Sequence, residues 1–381
     1  MRYAFVTFGC RLNKAESLDL EAALAAEGNE TVKDLADADV IVVRCCSVTA
    51  KAQRDCEREI SRLRREYASA EIIPTGCIPG AKKISVRRTD ALPGSTARAW
   101  LKIQDGCSGK CAFCTVPFFR GQPVSVPFEQ VLERAAAFYE AGYREIVLTG
   151  CNTALYRSGS ACLADVISSV AALSSAWRVR LSSLEPGVCD SEVLDAFSRH
   201  SNICRFIHLS VQSGSDRILK LMRRRYQSET IARFAELARM SMPDVCLGGD
   251  FICGFPGETE EDFSATVELV RNCRFSNLHV FPYSERPGTE AASMSGIVHP
   301  SIRKKRVAVL EECGRKNQAD FAMSFVGKKV QVCVEKAADG RCRGYTGEYL
   351  PCEFNSGTAC RRDLVNVEII SATGPQLSGK C

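Results

Sequence analysis

The chain has 381 residues, about 2.5 domains at ~150 residues each, with 45% hydrophobic and 25% charged residues and a net charge of +5. These values exclude a disordered, collagenous or low-complexity chain and a single small module. The 21 cysteines are the anomaly: about 5.5% of the chain, below the ~8–10% of a disulfide scaffold, in a chain too long to need staples.

The opening MRYAFVTFGC has one Arg, a short apolar run and no small-residue cleavage site, so it reads as a buried strand rather than a secretory signal. The cysteines are therefore expected in a reducing cytoplasm. No charge-free apolar run reaches the ~18 residues of a membrane span, so no membrane association is expected.

Over the first ninety residues strand and helix signals alternate. Tyr3 to Gly9 is apolar, Glu16 to Glu27 is helical, and Asp39 to Arg44 carries Val-Ile-Val-Val. Thr49 to Tyr67 is a charged helix and Glu71 to Gly76 a third strand, which together predict a small parallel α/β sheet. Lys82 to Ser95 lacks a period and reads as a linker; Lys82 to Arg98 holds five basic residues against Asp90, a local charge that suits an anionic partner. From Ala99 a longer alternation follows, with strands at Trp100–Gln104, Glu145–Thr149, Arg178–Ser182, Phe206–Val211, Gly248–Cys253 and Leu278–Tyr283. Helical patterns separate them and another spans Pro300 to Phe321, so a partial (β/α)6 barrel is predicted, with its site at the strand C-termini. After Phe325 only β-rich runs remain, Lys329–Glu335, Tyr349–Phe354 and Leu364–Ser371, predicting a small β-barrel. The predicted units are 1–92, 93–324 and 325–381.

Two cysteine constellations carry the chemistry. Cys107-x3-Cys111-x2-Cys114 follows the first strand of the long alternation; three thiolates on one loop cap three corners of a cubane and leave the fourth iron open, and no fourth ligand at zinc spacing lies nearby. Cys10, Cys46 and Cys77 each follow one of the three N-terminal strands, so a parallel sheet gathers them on one edge. Side-chain alternation lets only one of Cys45 and Cys46 face that edge. The other cysteines read as packing residues.

The CxxxCxxC loop, with Phe113 before its last Cys, resembles the radical S-adenosylmethionine (SAM) superfamily. TFGCRLNKAES, CCSVT, PTGC, LKIQDGC, EIVLTG, RLSSLEP, HLSVQSGSDRILKLMRRRY, DFICGFPGETEEDF and HVFPYSERPGT together resemble the methylthiotransferase family across almost the whole chain. That resemblance implies an N-terminal cluster domain, a radical SAM barrel and a C-terminal TRAM-like RNA-binding barrel. It implies two 4Fe-4S clusters, on Cys107, Cys111 and Cys114 and on Cys10, Cys46 and Cys77, with S-adenosyl-L-methionine as cosubstrate. In the implied mechanism the first cluster cleaves SAM to a radical that removes a substrate hydrogen, and the second carries the sulfur that is methylated and transferred. A reductant of flavodoxin or ferredoxin type and a sulfur donor are implied partners.

The segment TFGCRLNKAES is most like the branch acting on N6-threonylcarbamoyladenosine at tRNA position 37, in the anticodon loop. Isopentenyladenosine and a ribosomal-protein aspartate are the substrates of sister branches, and a non-catalytic iron–sulfur RNA-binding scaffold is the reading of another class. The family has a longer stretch between Cys77 and Trp100, so the first domain is shortened here. Phe113 is expected near the adenine of SAM or in the core, and Thr149 and Gly150 at its methionine amino group. Glu185 and Gln212 would bond ribose or substrate, or satisfy loop backbone. Arg223, Arg224 and Arg225 with Tyr226, and the run Arg303 to Arg306, would track phosphates or form solvated helix faces, with Tyr226 able to stack on a splayed base.

Overall fold

A computed structural model describes every residue except Arg87–Thr89, Ser95 and Cys189, so part of the linker and of its basic charge lies outside the described residues. The N-terminal unit runs β1 (Arg2–Thr7), α1 (Arg11–Ala26), β2 (Glu30–Thr31), β3 (Val40–Cys45), α2 (Ala50–Glu66) and β4 (Glu71–Gly76). Its sheet is parallel in the order β2-β1-β3-β4. The apolar run of β3 is buried on both faces: Val40 and Val42 pack with Leu20 and Leu24 of α1, while Ile41, Val43 and Cys45 pack with Cys56, Ile60 and Leu63 of α2. Residues two apart share a face, so one strand serves two helical layers. Helix α1 starts at Arg11, ahead of the expected Glu16, so Cys10 is its N-cap.

The second unit begins with β5 (Ala99–Asp105), α3 (Val116–Arg120), β6 (Val124–Ser125), α4 (Phe128–Glu140), β7 (Glu145–Gly150) and a hairpin of β8 (Arg157–Ser158) with β9 (Ala161–Cys162). It continues through α5 (Leu163–Ala172), β10 (Arg178–Leu181), β11 (Ser183–Leu184), α6 (Asp190–Arg199), β12 (Phe206–Gln212), α7 (Asp216–Leu221) and α8 (Ser228–Ser241). Then come β13 (Cys246–Cys253), α9 (Glu260–Asn272), β14 (Asn277–Pro282) and α10 (Pro300–Met323). All six expected parallel strands are present. The third is broken after Leu181: β10 pairs with β7 and β11 with β12, which divides the wall into the sheets β10-β7-β5-β6 and β11-β12-β13-β14. Alternate strand residues such as Leu101, Ile103, Ile146, Leu148, Leu209 and Leu247 enter the core with the helices. The complementary set, including Lys102, Gln104, Phe206, His208, Asp250 and His279, therefore faces the lumen.

The C-terminal unit is a closed barrel of β15 (Lys329–Ala338), β16 (Arg341–Thr346), β17 (Pro351–Asn355), β18 (Leu364–Thr373) and β19 (Gln376–Lys380), ordered β15-β16-β17-β19-β18. Three of these strands were legible in sequence. RCRGYT and QLSGK were not, because the first buries only every second residue of a short polar run and the second buries Leu377 alone.

Glu145 organises the junction between these two barrels. It is fully buried and accepts from Arg178 Nε at 2.6 Å and Arg180 Nε at 2.8 Å, with Arg98 at 3.7 Å. The arginines reach on to the C-terminal barrel: Arg178 Nη1 to the Gln331 carbonyl at 2.7 Å, Arg180 Nη2 to the Thr346 carbonyl at 2.9 Å, and Arg98 to Glu335 at 2.6 Å. Burial opposes ionisation of Glu145, but the three guanidiniums outweigh it and hold its carboxyl well below the usual range. A depressed carboxyl pKa stabilises the fold above the ordinary value and ceases to do so as pH falls below it. Glu145→Gln should therefore cost about 3–5 kcal/mol in urea unfolding at pH 7, since it strands buried guanidiniums. The wild-type advantage should shrink as pH is lowered below the ordinary glutamate value of 4.5.

Candidate functional site

Both cysteine triads lie at strand C-termini. Cys10 follows β1, Cys46 follows β3 and Cys77 follows β4. Gly9 has φ +97°, and a Cβ there would stand 2.8 Å from Cys46 Sγ, so the loop closes over that sulfur only with glycine. Asn13 Nδ2 donates to the carbonyls of Phe8 and Cys45, both at 2.8 Å, joining the first two strand ends. Cys45 is fully buried and hydrogen-bonded to Cys56, which together with burial pushes its thiol far up. Cys46, one residue further, is the one that feels the charges of Cys10 and Cys77, and burial lifts its thiol to about 11.

The second triad sits on the loop leaving β5. Gly106 has φ +68°, and a Cβ there would meet the Gln122 carbonyl at 2.0 Å. Gln104 holds the loop: its Nε2 donates to the Asp105 and Gly106 carbonyls at 2.7 Å, and its Oε1 accepts from Asn152 N at 2.9 Å. A Cβ on Gly109 would fall 3.2 Å from Cys107 Sγ and 3.7 Å from Cys111 Sγ, so that glycine keeps the space among the sulfurs clear. Burial raises Cys114 to about 11, and Cys111 and Cys107 add to the rise.

Neither triad brings its three sulfurs within 4.8 Å of one another; among the described residues only His208, Asp250 and His279 bring three ligand atoms that close. Such spacing is too wide for one tetrahedral zinc and suits a polynuclear cluster, as does an all-thiolate donor set with no fourth ligand. The residues present therefore fit an iron–sulfur group at each triad.

One arginine braces each triad. Arg120 uses its whole fork: Nε donates to Cys77 Sγ at 3.0 Å, Nη1 to Glu16 Oε1 at 2.9 Å and Asp105 Oδ1 at 3.0 Å, and Nη2 to Asn13 Oδ1 at 2.9 Å and Glu16 Oε2 at 3.0 Å. Lys102 and Arg44 also reach Glu16, at 3.0 and 3.1 Å. Burial resists ionisation of Glu16, yet these cations keep its carboxyl below the usual range. A cavity of about 1270 Å³ opens beside this network, walled by Glu16, Arg44, Lys102, Asp105 and Arg120 together with the segment after β4. Sequence reasoning missed Asn13, Glu16 and Arg120; the only signal was the three-residue spacing of Asn13 and Glu16 on one helical face behind Cys10.

Arg224 braces the other loop. Its Nη1 donates to Cys111 Sγ at 3.1 Å, Nη2 pairs with Glu185 at 3.0 Å, and Nε donates to the Tyr226 hydroxyl at 2.9 Å. Tyr226 is buried and its hydroxyl donates to the Val211 carbonyl at 3.1 Å. The expected phosphate contact of Arg224 and base stacking of Tyr226 are thus corrected: both side chains are spent inside, because the turn after α7 folds them back against β12. Arg223 pairs with Glu290 at the surface, and Arg225 is exposed. Of the run at 303–306, Arg303 bonds the carbonyls of Val298 and Tyr283 and Arg306 is buried on Glu258, leaving Lys304 and Lys305 outward.

The remaining expected residues ring the same end of the barrel. Phe113 packs edge-on against Phe255 of the turn after β13, centroids 6.4 Å apart. Thr149 is buried at the end of β7, and a Cβ on Gly150 would crowd the Gln104 carbonyl at 2.9 Å. Glu185 also accepts from Asn152, and Gln212 ends β12 at a bulge with φ +68°, a left-handed conformation rare outside glycine.

A parallel partial barrel with a three-thiolate loop after its first strand defines a radical SAM enzyme. Residues 101–270 match the model of the Radical SAM superfamily, and residues 2–92 match that of Uncharacterized protein family UPF0004. The chain is 31% identical over 411 residues to the threonylcarbamoyladenosine tRNA methylthiotransferase MtaB of Thermotoga maritima, covering 97% of this chain and 94% of that protein. It is 32% identical over 430 residues to the tRNA-2-methylthio-N(6)-dimethylallyladenosine synthase of Methylobacillus flagellatus, covering 98% and 97%. Among solved structures, the radical SAM methyltransferase TsrM of Kitasatospora setae shares the fold, with TM-score 0.56 and 14% identity over 76% of this chain and 77% of that one. The chain belongs to the methylthiotransferase family of radical SAM enzymes, which work with two 4Fe-4S clusters and SAM, and its closed C-terminal barrel is TRAM-like. No helix among the described residues is long and apolar enough to cross a membrane.

Anaerobically reconstituted Cys45→Ala should keep the wild-type iron and sulfide content, whereas the Cys10/Cys46/Cys77 triple alanine variant should lose one cluster of two. Equal iron in the triple variant and the wild type would exclude the N-terminal triad as a cluster site.

Proposed function

We propose that the chain adds a methylthio group to C2 of N6-threonylcarbamoyladenosine at position 37 of tRNA. The observation that carries this reading is the Thermotoga maritima relative of that named activity, which spans 97% of the chain, together with the segment TFGCRLNKAES around Cys10. A second reading, the dimethylallyladenosine substrate, is favoured by relatives of that name at 31–32% identity.

In the proposed assignment Cys107, Cys111 and Cys114 hold the cluster that engages SAM, and Cys10, Cys46 and Cys77 hold the auxiliary one. When bound, the two clusters supply an electron for SAM cleavage and the sulfur for transfer. The chain's own residues position them. Arg224 and Gln104 fix the radical SAM loop, Arg120 ties Cys77 to that loop's base, and Phe113, Thr149, Gly150, Glu185 and Gln212 line the end of the barrel where SAM and a flipped adenosine would meet. Units 1–92, 93–324 and 325–381 are assigned to sulfur delivery, radical generation and RNA grip. Partners are the tRNA anticodon loop, a flavodoxin- or ferredoxin-type reductant and a sulfur donor, in a reducing cytoplasm.

Mass spectrometry of tRNA nucleosides from cells lacking the protein should show loss of the methylthio form of threonylcarbamoyladenosine, with its unmethylthiolated precursor accumulating. Loss of the dimethylallyl form instead would select the second reading. Binding of tRNA should weaken steeply with salt, as phosphate contacts require, and salt-independent binding would contradict an RNA-gripping C-terminal unit.

A further inference from the structure

Arg11 follows Cys10 directly and is the first residue of α1. Its guanidinium enters the barrel lumen, 6.0 Å from the ring centre of Phe206 on β12 and 5.3 Å from that of Tyr349 in the C-terminal barrel. Those two rings stack with centroids 4.9 Å apart, and Tyr349 holds a left-handed φ of +68° to present its ring there. Of the other enclosed arginines named above, Arg303 is answered by two carbonyls and the rest by a carboxylate. Arg11 is partly buried; the ionisable groups that act on it most are Tyr349, which also hydrogen-bonds it, Arg180 and Arg98, and its enclosed Nη1 has no hydrogen-bond partner. It also stands in the first turn of a helix, where the dipole disfavours a cation. Beside it His208 is buried with an unpartnered Nδ1, its Nε2 being engaged by Asp250 at 2.9 Å.

A guanidinium with an enclosed, unpartnered Nη1 and no carboxylate paired to it among the described residues, at a helix N-terminus and among other arginines, is costly unless a ligand completes it. The Nη1 it leaves open is one arm of the planar fork that recognises carboxylates. Its position one residue after Cys10 puts that fork within a side chain's length of the auxiliary triad.

We propose that Arg11 is the receptor for a carboxylate carried into the lumen by the substrate, namely the one that ends the threonylcarbamoyl arm on N6, and that it thereby selects acidic over apolar N6 substituents. The proposal rests on the tRNA reading above. The other source of a carboxylate at this site is the methionine end of SAM, and the test separates the two.

Reconstituted full-length wild type, Arg11→Gln and Arg11→Lys are compared on anticodon stem-loops carrying threonylcarbamoyladenosine, isopentenyladenosine or plain adenosine at position 37. Binding is read by fluorescence anisotropy, turnover by nucleoside mass spectrometry, and SAM affinity by calorimetry. Arg11→Gln should weaken binding of the threonylcarbamoyl stem-loop, relative to the plain one, by about tenfold or more, as loss of a buried charged hydrogen bond does. Arg11→Lys should recover part of it, and SAM affinity should fall by less. If the Gln variant loses its clusters, the Lys variant alone decides, with a smaller but measurable loss of the same ratio expected. An unchanged ratio, or a loss of SAM affinity that matches the loss of stem-loop affinity, overturns the proposal. Wild type that modifies neither modified stem-loop defeats the tRNA reading itself, an outcome distinct from an unchanged ratio.

Discussion

Two glutamates, Glu145 fully buried and Glu16 partly buried, each answered by three cations, hold this protein in one piece. Glu16 of α1 collects Arg44 from its own unit and Lys102 and Arg120 from the barrel; Glu145 of β7 collects Arg98, Arg178 and Arg180, which reach on to the C-terminal barrel. Burying so many charges is expensive, and the cost is offset only when every donor finds an acceptor. Arg120 meets that condition with all three of its nitrogens. Satisfying it forces Cys77 and the base of the Cys107 loop into fixed relation, so the same network that closes an interface also sets one triad against the other.

The lumen follows from the division of labour along the barrel strands. Residues that alternate outward are apolar and seal the wall against the helices, which leaves the inward set free to be polar. Gln104, His208 and Asp250 stand there without weakening the core. At the lower end of the lumen Tyr349 stacks between Phe206 and Tyr345, while the cysteines lie at the strand C-termini, the end at which α/β folds place their chemistry.

Several features were legible in the residues because they depend on local pattern. The Val-Ile-Val-Val run of β3 announces a strand buried on both faces, and its alternation leaves only one of Cys45 and Cys46 on the edge. The split of the third barrel strand after Leu181 was not legible, since nothing in RVRLSSL marks where pairing passes from β7 to β12. Nor was the fate of Arg224 and Tyr226: a basic run beside a tyrosine looks like an RNA surface until α7 ends and the chain turns these side chains toward β12. Strands β16 and β19 escaped because small closed barrels are completed by pairing rather than by apolar content.

By itself the sequence determined the parallel alternation, the two cysteine triads and their place at strand ends, because periodicity and chain direction are local properties that survive without neighbours. Only the tertiary structure decided which groups share charge. The partners of Glu16 are 28, 86 and 104 residues away, and those of Glu145 33, 35 and 47 away, separations at which no spacing rule operates. Electrostatic pairing is settled by which side chains become buried together, and that depends on the packing of whole units.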